Sequence, residues 1–147
     1  LMITVAILGI LSAVAIPSYM TYVTKSKRTE AKTELLSIAQ LQENRYIQNL
    51  SYAKELNNGL GFSSAWQETE NGLYKMRSQG LPLSCNGTSA NPCTGYRVVA
   101  VPVSGKGQER DKECTEFYID NTGFKGALSS TNTSNVRNSD TIKECWG

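Results

Sequence analysis

Four cysteines, Cys85, Cys93, Cys114 and Cys145, are the residues best suited to covalent chemistry in this sequence. No two stand in a C-x-x-C pair, so their spacing suits disulfides better than a zinc site. Disulfides in turn imply an oxidising compartment, the periplasm or a cell surface. The simplest connectivity joins Cys85 to Cys93 and Cys114 to Cys145, but four cysteines allow three pairings and sequence does not choose among them. The chain has no histidine. That removes the commonest general base and metal ligand, and every Ser-His-Asp or Cys-His arrangement within the chain. The carboxylates form no spaced pair suited to glycoside hydrolysis. No catalytic residue, metal or cofactor is expected, and the chain reads as a non-enzyme.

Phosphate binding is the other chemistry to weigh. SGKGQERDK (104–112) carries Lys106, Arg110 and Lys112 against Glu109 and Asp111. It lacks the G-x-x-x-x-G-K-[ST] spacing of a phosphate cradle. Basic side chains among polar ones can hold DNA phosphates, so Lys106, Arg110 and Lys112, with Lys125 in the next turn, are candidate DNA contacts. The loop nets only +1 and the whole chain only +2, and the loop reads first as a solvated surface segment. NGTSANP, between Cys85 and Cys93, is either a presented binding loop or a stapled turn. Trp66, Tyr118 and Trp146 read as packing residues.

These groups need elements to position them. The sequence opens LMITVAILGILSAVAIPSY and shows no charge before Lys25. As a helix, residues 1–24 would be ~36 Å long, enough for a bilayer core of about 30 Å. A cleaved signal peptide is the rival, with Ser12-Ala13-Val14-Ala15 as its cleavage site. Against it, helical periodicity continues through Ala31, Leu35, Ile38, Ala39, Gln42 and Arg45/Tyr46. Charges, Lys27, Arg28, Glu30, Lys32 and Glu34, take the other face. One helix from about 2 to about 48 is expected, weakened or kinked at Gly9 and Pro17. The basic residues after the span conflict with the positive-inside tendency if the cysteine domain is exported. A basic segment upstream of Leu1 would resolve this.

The chain divides at residue 24 into an apolar half-helix (1–24) and a head (25–147). NLSYAKELNNGLGFSSAW reads as a connecting loop with one short turn of helix. Strands are expected at 73–78, 96–103 and 115–121. The turn signal Asp120-Asn121-Thr122-Gly123 leads to a fourth at 124–128. The fold class is α+β: the helix's second half packs on an antiparallel meander of about four strands. LSSTNTSNVRNSDTIK reads as a polar loop. A Cys114–Cys145 bridge would staple it to the sheet, worth ~3 kcal/mol by chain entropy.

The run LMITVAILGILSAVAIPSYMTYVTKSKRTEA resembles the N-terminal segment of type IV pilins, including Gly9, Pro17 and Tyr19. GYRVVAVPV, Gln108, Asp111 and Cys114, FYIDNTGFKG and the final ECWG resemble the minor- and competence-pilin subgroup. The family's Phe-Thr-Leu-Ile-Glu start and basic leader are not in this sequence, so the chain is expected to begin five residues into the mature protein. The resemblance implies a subunit anchored in the inner membrane, head in the periplasm. Assembly machinery then polymerises it with itself and other pilins into a surface filament for twitching motility, adhesion or DNA uptake. The filament core would use Leu1, Met2, Ile3, Val5, Ile7, Leu8, Gly9, Leu11, Val14, Ile16, Pro17 and Tyr19. A helix apolar on all sides must be buried somewhere, and Ala6, Gly9, Ser12, Ala13 and Ala15 permit close helix approach. Three alternatives stand beside this reading. They are a minor competence pilin binding DNA through its head, a type II secretion pseudopilin, and a secreted binding domain behind a signal peptide. Four cysteines weigh against the pseudopilin.

Overall fold

The computed structural model describes residues 1–147. A single helix, α1 (Met2–Asn49), runs unbroken through Gly9 and Pro17. It ends at Leu50, which takes a left-handed conformation (φ 55°) and donates its N–H to the Tyr46 carbonyl at 2.8 Å. Residues 50–65 contain isolated bridges and no helical turn, so the short turn expected there is absent.

The sheet has five strands, one more than expected. They are β1 (Trp66–Glu68), β2 (Tyr74–Leu81), β3 (Gly95–Pro102), β4 (Glu116–Asp120) and β5 (Lys125–Leu128). Their order is sequential and every pair is antiparallel. The four expected strands lie where the sequence placed them, within a few residues at each end. β1 has three residues, too few to show alternation, and exists because β2's edge pairs it.

The inner sheet face packs on the second half of α1. Ala31, Leu35, Ile38, Ala39 and Gln42 are its buried stripe, as the periodicity required. The four apolar ones join Tyr74, Met76, Val98, Phe117 and Ile119 in one core. Each large side chain buried here stabilises the fold by roughly 1.5–3 kcal/mol. Gln42 is fully buried but satisfied: its Nε2 donates to Ser78 Oγ (2.8 Å) and its Oε1 accepts Ala53 N–H (2.8 Å).

Two expectations fail near the C-terminus and on α1. The polar tail is not all loop, because residues Ser139–Trp146 form helix α2. Asn138 caps it by accepting the Thr141 N–H at 3.0 Å, and Thr141 and Cys145 turn inward. Eight residues with one cap are too short for periodicity to stand out. Arg28 does not sit on the solvated face. It is 3% exposed, donating to the Asp111 carboxylate from Nε (2.6 Å) and Nη2 (2.9 Å) and to Glu113 and Glu144. A guanidinium can be buried when bidentate carboxylates satisfy it. Arg28 thus ties α1 to the β3–β4 connection and to α2.

Candidate functional site

Cys85 pairs with Cys93 and Cys114 with Cys145, and no cysteine is free. The first bridge is buried beside Gly80, where an added Cβ would lie 2.6 Å from Cys93 Sγ. The second joins Cys114, two residues before β4, to α2. Both bridges lie within the head.

The apolar stretch of α1 up to Tyr22 is exposed at every residue. From Leu1 to Tyr22 its large hydrophobic side chains are 51–100% exposed. Because exposure is this high on every side, no stripe of the rod is claimed by the head. All twelve candidate core residues, from Leu1 to Tyr19, lie on it. A Cβ added at Gly9 would meet nothing within 4 Å.

The candidate phosphate contacts divide. Lys106, Arg110 and Lys112 share the β3–β4 connection, which contains a 3-10 turn, Gln108–Arg110. Lys125 pairs opposite Ile119, toward the far end of β4 from that connection, and lies over the Trp146 ring at 5.4 Å. The sum of +1 for the loop also changes meaning, because Asp111 is 4% exposed and neutralised by Arg28.

A basic face absent from the sequence reading lies on the outside of the sheet. The register places Trp66 opposite Arg77, Arg77 opposite Val99 and Val99 opposite Tyr118. Lys75 Nζ lies 5.1 Å and Arg77 Cζ 5.9 Å from the Trp66 ring. Arg97 stacks 5.0 Å over Tyr118 and donates from Nε to its hydroxyl at 3.1 Å. A hollow of about 160 Å³ lies among Trp66, Arg77, Arg97 and Glu116. Lys75, Arg77 and Arg97 form no ion pair. Burial pushes the Glu116 carboxyl up from its ordinary 4.5, which Arg97 only partly offsets. Trp66, expected to be packing, is 40% exposed here. The signal available in the sequence was the alternation: Lys75 and Arg77 are two apart and share a face. The arrangement offers cations for phosphates and an indole for a flat ring.

A sequence family described as "Type IV minor pilin ComP, DNA uptake sequence receptor" matches residues 17–118. The type IV major pilin protein PilA of Myxococcus xanthus (strain DK1622) is 40% identical over 63 residues, 43% of this chain. That stretch is 28% of the relative's own length. A solved type IV pilin from Shewanella oneidensis aligns at 16% identity and TM-score 0.47, covering 78% of this chain and 98% of that one.

Proposed function

This chain belongs to the type IV minor pilin family, and on that premise we propose that it is a filament subunit whose apolar rod is buried twice. Before assembly the rod spans the inner membrane with the head in the periplasm. After assembly it packs against the rods of neighbouring subunits in a surface filament. The observation that carries this reading is the rod's exposure on every side. Lipid tails or other apolar helices are the environments that remove such a surface from water. The fold requires no such burial for its own stability, since the core lies on the other half of α1. Mass spectrometry of sheared surface filaments tests it. The chain is expected there as a minor component; its absence would overturn the reading.

A second reading concerns the head: it receives DNA on the outer sheet face. The specific support is the unpaired set Lys75, Arg77 and Arg97 around an exposed Trp66. Phosphate contacts make affinity fall steeply with salt. Titration of full-length chain in detergent micelles with duplex DNA is expected to show that fall. Equal affinity across salt concentrations would exclude the sheet face as a phosphate-binding surface.

A further inference from the structure

We propose that the β3–β4 connection, with Lys27, forms a basic collar that binds anionic phospholipid headgroups while the rod is in the bilayer. The proposal rests on the reading of the rod as a membrane span. It assigns the cations of the 104–112 loop to lipid phosphates, separate from the sheet face.

Position comes first. Gln108 is 2% exposed, and its Nε2 donates to the Thr24 carbonyl (3.2 Å) and to the Tyr74 hydroxyl (2.7 Å). This pins the loop where the apolar rod ends. A hydrocarbon core of about 30 Å takes up about 20 helical residues. The first charge after the apolar run is Lys25, so Met20–Thr24 is where the rod leaves hydrocarbon for the headgroups on the head's side. Tyr19 and Tyr22, 70% and 72% exposed, sit where aromatic side chains favour the interface.

Shape comes next. Two hollows, of about 340 and 170 Å³, open between rod and loop, and Arg110 borders both. Met20, Val23 and Tyr19 contribute apolar wall, while Lys112 borders the first hollow and Lys27 the second. An apolar wall below cations matches a phosphodiester with the first carbons of its acyl chains.

The nearby acids are outnumbered by cations, and each already holds a partner, Asp111 and Glu113 at the wall of the first hollow among them. Asp111, Glu113 and Glu144 bind Arg28, and the last two also bind Lys25. The Glu109 carboxylate accepts the N–H groups of Gly105 (3.0 Å) and Gly107 (2.7 Å) within the loop. Lys27, Lys106, Arg110 and Lys112 are exposed and form no ion pair. Basic residues clustered next to a span are attracted to anionic lipid within a Debye length of the surface.

The test is amide hydrogen exchange on the full chain in nanodiscs of phosphatidylcholine alone or mixed with phosphatidylglycerol. Loop amides 104–112 should exchange roughly fivefold or more slowly in the anionic discs. That protection should vanish in high salt and in Arg110→Gln/Lys112→Gln. The two side chains are exposed and leave the Arg28–Asp111 pair intact, so the variant retains the fold. Equal loop exchange in both discs, with the rod protected, overturns the collar alone. A rod that exchanges freely in both discs overturns the membrane reading as well. Protection by inorganic phosphate or duplex DNA in phosphatidylcholine discs would reassign the cations and overturn headgroup binding.

Discussion

Arg28 is the residue on which three elements converge. Replacing it with Ala leaves the Asp111 carboxylate, 4% exposed, without its cation. Breaking a buried pair from one side costs about 3–5 kcal/mol, and the denaturant midpoint of Arg28→Ala should fall accordingly. Glu144 gives the same cluster an acid limit. Hydrogen bonds from Lys25 and Arg28 hold its carboxyl down at about 2, against an ordinary 4.5. A carboxyl with a depressed folded value contributes stability that is complete above its unfolded value. That contribution is lost as pH falls from about 4.5 to about 2. Melting temperature should drop across that window, and Glu144→Gln should flatten the drop. Gly80 is constrained by space, not by backbone angle. A Cβ there would lie 2.6 Å from Cys93 Sγ and 3.0 Å from the Ala53 carbonyl. Gly80→Ala should destabilise by about 1–3 kcal/mol through overpacking, measured by the same denaturation.

Among the elements, the outer face of the sheet presents Lys75, Arg77 and Arg97 beside Trp66 and Tyr118. Removing Arg77 or Arg97 should weaken DNA binding at all sequences alike and lower the salt slope by about one per phosphate lost. Trp66→Ala should weaken single-stranded DNA more than duplex, since stacking of about 1–3 kcal/mol per base needs an accessible ring. Fluorescence anisotropy with both DNA forms checks these outcomes. If Lys106, Arg110 and Lys112 substitutions weaken DNA binding instead, the sheet face is not the receptor surface. Helix α2 is tied to the residues before β4 by its bridge. The Cys114–Cys145 bridge closes a separation of 31 residues, and its removal should cost about 3–4 kcal/mol by chain entropy.

At the scale of the whole molecule, the hydrophobic core of the head contains no residue before Ala31. Gly9→Leu fills open space in the single chain, so the head's denaturation midpoint should not change. Close approach between helices favours small residues, so the same variant should enter filaments poorly. Filament yield by shearing and immunoblot measures this. A variant that lowers both head stability and yield would show instead that rod and head are coupled within one subunit.

Much of this protein was legible before any tertiary contact was known. The rod, the buried stripe of α1 and four of the strands follow from apolar patterning, strand-forming composition and turn residues, all properties of neighbouring residues. So does the turn at Asp120, whose Oδ1 accepts the Thr122 and Phe124 N–H groups, with Gly123 at φ 79°. The tertiary structure decided the rest. Trp66, Arg77, Arg97 and Tyr118 lie on four strands and become neighbours only through register. The inward turn of Arg28 depended on carboxylates at 111, 113 and 144, far along the chain. Pairing of the cysteines and the short α2 depended on the same long-range closure. Local pattern shows which face of an element is apolar; which charges meet across the fold is set by geometry that no single segment carries.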